Sequence, residues 1–307
     1  MKKKTFVLSV LITTFILLLI LTQSIHYATT NNGLYKAGQK RIQKSYEKND
    51  VVFLGDSSLG AGIDIDYFSE LASNDKIYAN LAATRREGFI STYNMIRQIV
   101  KNNKNIKTIV MVHSPVIWTE PFSLGGYCTS IGGLNSDKIQ SLGLAYKYDC
   151  IYYKYGNITA LKDIFKQMKN TKESKKINNT IKIDNKIKTY KNRKKNIQKE
   201  LKLNAHAKYA KISLSSLIEI RMIDEYLKDK KVKVLYIQGS FHRDVYEKYK
   251  KIIQRQQQVL KSLQNIKFIE KYLYPKSQDM GDSINHVDFT YKKEATKFYF
   301  EALKDEL

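Results

Sequence analysis

The sequence is poor in the residues that build cross-linked or metal-bound proteins. Its 307 residues include only two cysteines and five histidines, and the histidines occur singly along the chain. Two cysteines exclude a disulfide-dense scaffold and a cysteine-rich zinc module. No run of closely spaced metal ligands is visible either, so we expect no metal and no diffusible cofactor.

Acidic residues are scarce relative to basic ones, and the formal net charge is +24. A charge of this size bears on partners and solubility rather than on fold. Hydrophobic residues still make up 43% of the chain, which argues against a wholly disordered protein. The length is sufficient for one large domain or two small ones with a buried core.

Long apolar runs are absent except for one near the N-terminus. Residues Phe6–Thr22 form an uncharged run of 17 residues, close to the minimum for a membrane-spanning helix. Three lysines precede the run and few basic residues follow it, which predicts an N-terminus inside the cell. No clear signal-peptide cleavage site follows, so we predict an uncleaved single-pass anchor in the cell membrane. The predicted segments are a cytoplasmic tail (1–5), the anchor (6–22), a linker (23–49) and an extracytoplasmic domain (50–307).

The two cysteines both lie in the part of the chain that is predicted to be outside the cytoplasm. If Cys128 and Cys150 pair, the loop that they close is worth roughly 3 kcal/mol in the chain-entropy model. They are otherwise two free buried thiols. The sequence leaves both alternatives open.

Short apolar runs alternate with segments of helical periodicity over most of the predicted domain. Such alternation predicts βαβ units, a parallel sheet and helices on both of its faces, which is the α/β class. The predicted strands are 51–54, 76–81, 107–112, 232–238 and 266–270. The predicted helices are 63–73, 87–101, 213–227, 243–263 and 289–303.

A basic segment interrupts the alternating pattern. Residues 162–202 carry fourteen lysines and one arginine against four acidic residues, a net charge of +11. We predict that about 120–212 is an insertion at the edge of the sheet. Its charge indicates either a solvated helical face or a docking site for an anionic polymer or membrane surface. Nucleic acid is not an expected partner, since the segment is predicted outside the cell and no DNA-binding motif occurs.

A serine follows the first predicted strand in the sequence Gly55-Asp56-Ser57-Ser58-Leu59. A side chain at this position lies at the carboxyl edge of the sheet, where open α/β sheets bind their ligands. Backbone N–H groups at a helix start also point towards a nearby oxyanion. A serine hydroxyl is a weak nucleophile, however, unless a base accepts its proton.

His286 is the best candidate for that base. It follows the last predicted strand and precedes the closing helix, so it is predicted at the same edge of the sheet as Ser57. Asp282 is close enough in sequence to orient the imidazole through a local turn. The resulting order along the chain is Ser, Asp, His.

Other polar residues at strand ends have alternative interpretations. His113, after the third strand, either lines the site or is a hydrogen-bonded structural histidine. His242 and Arg243, after the fourth strand, either bind substrate anions or belong to a surface loop. Asp64 and Asp66 match a metal-binding D-x-D pattern, but they fall within a predicted helix and follow no apolar strand.

The motif around Ser57 resembles the first block of the SGNH, or GDSL, hydrolases, and Asp282 with His286 resembles their last block. Ser114-Pro115 followed by Trp118 is similar to a stretch of the DltD group within that superfamily. The resemblance covers residues 51–118 and 232–305. It implies a three-layer α/β/α, flavodoxin-like fold, and a serine acyltransferase or esterase. It also implies three partners: a membrane-bound O-acyltransferase-type protein, an acyl donor and an anionic cell-envelope glycopolymer.

By the same resemblance, Ser57 is the nucleophile, His286 the base and Asp282 the orienting carboxylate. The oxyanion and substrate-binding positions fall on the Ser57 N–H and on Ala82, Gly88, His113 and Ser114. The sequence departs from the family pattern at three places. The usual aspartate three residues before the histidine is Ser283, the second block has no glycine in residues 80–84, and the asparagine of the third block is missing.

Three functions are compatible with these features. The preferred one is a membrane-anchored extracytoplasmic serine acyltransferase or esterase that modifies hydroxyls of a cell-envelope glycopolymer through an acyl-serine intermediate. The alternative is a non-catalytic SGNH-like scaffold or polymer-binding subunit of an O-acyltransferase complex. A secreted-side esterase for small esters fits less well because of the large positive charge.

Overall fold

A computed structural model describes residues 12–18, 47–82, 88–119 and 211–307. By their contacts the residues divide into two units, Met1–Gln39 with Cys128–Ile177, and Lys40–Tyr127 with Asn178–Leu307. The labelled strands and helices in the following paragraphs all belong to the second unit. Cys128, Cys150, nearly all of the predicted insertion and most of the predicted linker lie outside the described residues. Of the predicted anchor, only residues 12–18 are described, and they are helical. Within these ranges, no helix has both the length and the hydrophobicity needed to cross a membrane.

Among the described residues, five parallel strands form one sheet in the order β2-β1-β3-β4-β5. This order is that of flavodoxin-like folds, and it confirms the predicted α/β class with a parallel sheet. All five strands lie within one or two residues of their predicted positions. They are β1 (Val51–Gly55), β2 (Tyr78–Ala82), β3 (Thr108–His113), β4 (Lys233–Gln238) and β5 (Lys267–Ile269).

In the described part of the second unit, six α-helices connect and cover these strands. They are α1 (Ser57–Gly62), α2 (Ile65–Ala72), α3 (Gly88–Asn102), α4 (Leu214–Leu227), α5 (Arg243–Lys261) and α6 (Lys292–Leu303), with short 3₁₀ turns at Pro115–Trp118 and Ser277–Asp279. The single helix predicted over 63–73 is wrong in its start. Ile63 and Asp64 are extended, and Asp64 caps α2 by accepting a hydrogen bond from the Tyr67 N–H.

Alternate residues of each central strand point into two separate hydrophobic cores. Val52 and Leu54 of β1 face a core that includes side chains of α3 and α4. Val51 and Phe53 face the other core, which includes side chains of α1, α2 and α6. Strands β1 and β3 are buried along their whole length, as expected for parallel strands covered on both faces. The described part of the second unit therefore has three layers, as the sequence predicts.

The order in which strands are added to the sheet changes direction at β1. The next strand, β2, lies on one side of β1, and β3 lies on the other side. In open α/β sheets, ligands bind at such a switch point, outside the carboxyl ends of the strands. Gly55 ends β1 so close to β3 that a Cβ atom there would lie 1.9 Å from the Val112 carbonyl oxygen. Only glycine fits where the two strands approach each other this closely. The next residues of the two strands, Asp56 and His113–Ser114, therefore meet at the switch point.

Candidate active site

A buried carboxylate organises the end of β1. Asp56 caps α1, and its Oδ1 accepts hydrogen bonds from the Ser58 N–H (2.8 Å) and the Ser58 hydroxyl (2.5 Å). Its Oδ2 accepts two more, from the Ser114 N–H (3.1 Å) and the Ser114 hydroxyl (2.8 Å). A carboxylate has about four lone-pair sites, so Asp56 is fully engaged. Its role is to hold the two loops together, and it is not free to act as a base.

The two consecutive serines differ in accessibility. Ser58 is fully buried, and it packs so closely that a Cβ atom on Gly239 would lie 2.1 Å from its hydroxyl oxygen. Ser57, the first residue of α1, is partly exposed. A substrate at the sheet edge can therefore reach Ser57 but not Ser58, which favours Ser57 as the nucleophile.

His286 and Asp282 are in direct contact. The His286 Nδ1 lies 2.7 Å from the Asp282 Oδ1, and each side chain is about a quarter exposed. With an ionised carboxylate at this distance, Nδ1 carries the ring proton and Nε2 of the neutral ring keeps its lone pair. The Nε2 atom is buried and has no hydrogen-bond partner among the described residues. The ring is thus oriented by a carboxylate and presents a free acceptor, as a general base requires.

The loop that carries this pair is a tight reversal. The Gly281 N–H donates to the His286 carbonyl oxygen at 2.7 Å, and Met280 forms an antiparallel bridge with Val287. A Cβ atom on Gly281 would lie 2.9 Å from the Val287 carbonyl oxygen. These contacts bring Asp282 back beside His286, so the carboxylate works from four residues away rather than three.

Asn285 ties the histidine loop to the serine loop. Its Nδ2 donates to the Ser114 hydroxyl oxygen at 3.3 Å, and that hydroxyl in turn donates to Asp56. The residues next to Ser57 and His286 are therefore joined through Ser114, at the carboxyl edge of one sheet. Ser57 itself makes no hydrogen bond to the His286 Nε2. Bonds of this kind often form only when substrate is bound.

At Ala82 and Gly88, two of the predicted oxyanion positions, nearby N–H groups already have protein partners. The Ala82 N–H donates to the Asn80 side chain at 3.1 Å. Gly88 begins α3 with a φ of 66°, and the next N–H groups of that helix point to a buried carboxylate. The Ile90 N–H donates to the Glu219 Oε2 at 3.0 Å. The carboxyl group of Glu219 therefore occupies the helix N-terminus next to Gly88.

His113 and Ser114 are both buried. The His113 Nε2 lies 2.9 Å from the Thr92 hydroxyl oxygen, and its ring stacks on Tyr236 with centroids 5.8 Å apart. Burial lowers the pKa of His113 to about 4, although the Asp56 charge opposes this, so the ring is neutral at pH 7. In this conformation neither side chain has surface for a substrate, and their proposed substrate contacts stay predictions.

The remaining polar candidates have structural roles. His242 is fully buried and caps α5: its Nδ1 accepts from the Asp244 N–H at 3.1 Å, and its Nε2 lies 2.9 Å from the Ser277 hydroxyl. It therefore neither binds substrate anions nor sits in a surface loop. Arg243 is exposed. Asp64 caps α2, and no group of metal-ligating side chains lies together within the described ranges.

Sequence reasoning missed three residues that shape the site: Asn285, Ser240 and Glu219. Asn285 stands next to His286 in the sequence, but nothing in the spacing shows that its side chain turns to Ser114. The Ser240 hydroxyl donates to the Asn285 carbonyl oxygen at 2.9 Å. Glu219 reads as a charged residue in an ordinary helix, and its only signal is its place among the apolar positions of α4.

The chain matches no protein-family model and no curated protein. Among solved structures, it is similar to one that is provisionally described as a platelet activating factor from Streptococcus pneumonia. The sequence identity is 12% and the TM-score 0.42, with 89% of this chain and 93% of the other covered. A similarity at this level carries no information on activity.

Proposed function

We propose that the protein is an SGNH-type serine acyltransferase or esterase in which Ser57 is the nucleophile, His286 the base and Asp282 the orienting carboxylate. The observation that carries this proposal is the Asp282–His286 contact with its unpartnered Nε2 atom, on a loop that is joined through Ser114 to the Ser57 loop. A partly exposed serine and an oriented imidazole at one sheet edge are the parts that serine acyl transfer needs.

The reaction proceeds in two steps with one covalent intermediate. The Ser57 oxygen attacks the acyl carbon while its proton passes to the His286 Nε2, and the bond to the leaving group breaks as that group takes the proton. The Asp282 carboxylate stabilises the imidazolium that forms between these events. A hydroxyl or water then attacks the acyl-serine, its proton passes to His286, and the proton returns to Ser57 as the ester bond breaks.

The oxyanion of the tetrahedral intermediate needs at least one donor. The Ser57 N–H is our candidate, because Ser57 is the first residue of α1. Ala82 and Gly88 remain candidates for a second donor. Because the Ala82 N–H already has a partner and Glu219 fills the start of α3, we expect weaker oxyanion stabilisation than in a site with two free donors. Loss of one such donor costs about 10²–10³ in rate.

The cellular setting that we propose comes from the sequence alone. The apolar run at 6–22 and the preceding lysines support an anchor that leaves the domain outside the cytoplasm. The net charge of +24 suits an anionic cell-envelope glycopolymer as acceptor. A membrane-bound O-acyltransferase-type protein is the proposed partner that supplies the acyl group.

A non-catalytic role is the second candidate. One observation favours it: the His286 Nε2 makes no hydrogen bond to Ser57. In that case the domain binds a polymer or scaffolds an acyltransferase complex, and the Ser57 hydroxyl is dispensable.

Hydrolysis of a small activated ester separates the two candidates. We expect the full-length protein to release 4-nitrophenol from 4-nitrophenyl acetate with an initial burst, and Ser57→Ala to lose both burst and turnover. Ser73→Ala is the matched control, since Ser73 lies past the end of α2 and its hydroxyl only bonds to the Glu70 carbonyl oxygen. Undiminished turnover in Ser57→Ala would exclude Ser57 as the nucleophile, and absence of both burst and turnover in the wild type would favour the non-catalytic candidate.

A further inference from the structure

The residues that precede Ser57 and His286 are buried and joined to each other. Asp56 comes directly before Ser57, and Asn285 comes directly before His286. Both are about 1% exposed, and Ser114 between them is fully buried. Two segments that are far apart in the chain thus meet through one hydroxyl group, one residue away from each reactive side chain.

The hydrogen bonds along this path have a single consistent direction. The Ser114 hydroxyl has a single proton, which it donates to the Asp56 Oδ2 at 2.8 Å, so its oxygen must accept from the Asn285 amide. This fixes the amide orientation and leaves the Asn285 Oδ1 to accept from the Ser283 hydroxyl at 2.6 Å. The Asn285 Nδ2 lies 3.3 Å from the Ser114 oxygen. The Asn285 amide donates to the Ser114 hydroxyl, and that hydroxyl donates to the Asp56 carboxylate, so each donor on the path meets an acceptor.

Both ends of the path are held from their other side as well. At one end, the Asp56 Oδ1 accepts the two hydrogen bonds from Ser58. At the other end, the Asn285 carbonyl oxygen accepts from the Ser240 hydroxyl at 2.9 Å. Since all of these groups are buried, leaving any one of them without a partner is costly. The path has little freedom to change length.

We propose that Asp56, Ser114 and Asn285 form a positioning strut that sets the separation between the Ser57 hydroxyl and the His286 ring. The inference rests on the proposed function, because a separation matters only if the two side chains react together. All three side chains are buried, so none of them has surface for a substrate in this conformation. Their effect passes through the backbone of the next residue, and a displacement of about 1 Å in such a pair costs roughly 10²-fold in rate.

The test removes the central hydroxyl by Ser114→Ala. The matched control is Thr296→Val, because Thr296 is another fully buried hydroxyl. It bonds to the Asp64 N–H at 3.0 Å, the Lys292 carbonyl oxygen at 2.8 Å and, more weakly, the Gly62 carbonyl oxygen at the end of α1 at 3.5 Å. None of these three partners belongs to the strut. The readouts are kcat and KM for 4-nitrophenyl acetate, and the rate at which a fluorophosphonate modifies Ser57, each per folded molecule.

We expect Ser114→Ala to lower kcat and the fluorophosphonate rate by about 10- to 100-fold with KM within about twofold, in line with a small displacement. Thr296→Val should leave both rates within about twofold of the wild type, even if its thermal stability falls as much as that of Ser114→Ala. Ser114→Thr keeps the hydroxyl and should recover most of the lost rate. Should Ser114→Ala not fold, Asn285→Ala is expected to show the same loss.

The strut is overturned if the Ser114→Ala protein loses stability but reacts at the wild-type rate per folded molecule. If the wild type shows no reaction at Ser57, the proposed function fails and the strut is judged by NMR alone. In that case the His286 ring resonances should move in Ser114→Ala and stay in place in Thr296→Val. Unmoved His286 resonances in Ser114→Ala would overturn the strut independently of any activity.

Discussion

Replacing Glu219 by glutamine should remove a pH-dependent loss of stability. Glu219 lies on α4 with only 5% of its surface exposed, and its carboxylate accepts from the Ile90 N–H at the start of α3. Burial raises the pKa of this carboxyl from its ordinary 4.5 to about 7, and hydrogen bonds from the Ile90 and Phe89 N–H groups only partly oppose this. The folded protein therefore holds a proton on Glu219 at pH values where the unfolded chain has released it.

The sign of the effect follows from that difference. Below pH 4.5 both states are protonated and Glu219 makes no pH-dependent contribution. Between pH 4.5 and pH 7, stability falls as pH rises, because the unfolded state releases its proton first. Above about pH 7 Glu219 is ionised in both states, so the full loss of stability remains and no longer changes with pH. A shift of this size corresponds to about 3 kcal/mol, at roughly 1.4 kcal/mol per pKa unit.

Urea unfolding at a series of pH values from 4.5 to 8 measures this directly. Other titrating groups contribute to both proteins and cancel in the difference between Glu219→Gln and wild type. We expect that difference in unfolding free energy to shift in favour of the glutamine variant by about 3 kcal/mol from the lowest pH to the highest. Parallel pH curves for the two proteins would refute the assignment of a raised pKa to Glu219.

Two further variants probe the site. Gly239→Ala places a Cβ atom 2.1 Å from the Ser58 oxygen and 2.9 Å from the Ser114 nitrogen. We therefore expect the free energy of unfolding, measured in urea, to fall by about 1–3 kcal/mol. An unchanged unfolding midpoint would contradict this close packing around Gly239. Asp282→Asn keeps the shape but no longer holds the ring proton on Nδ1, so kcat for ester hydrolysis should fall by roughly 10²–10⁴ with little change in KM. A wild-type kcat in that variant would show that Asp282 does not orient the base.

The sheet could be predicted because its strands are short apolar runs separated by segments of helical periodicity. The error at 63–73 has a physical cause. Ile63 is buried and continues the apolar pattern, but the capping side chain of Asp64 starts a new helix after it. Local capping by one side chain therefore overrode the periodicity.

The site was predictable where its geometry is local. Asp282 reaches His286 through a turn of four residues, and Ser57 follows a strand whose edge is fixed by the sheet. The contacts between distant segments were not predictable. Asn285 and Ser114 are 171 residues apart, and Glu219 and Ile90 are 129 apart. No pattern in a single sequence records that such side chains meet once α4 and the last loop pack on the sheet.

The central claim is that the Ser57 hydroxyl is activated by His286, and covalent trapping tests it most directly. The full-length protein is incubated with a fluorophosphonate, and the modified residue is located by peptide mass spectrometry. We expect one adduct, on Ser57, whose rate of formation falls sharply in His286→Ala while the fold is retained. Absence of an adduct on Ser57, or formation at the same rate without the imidazole, would contradict the account.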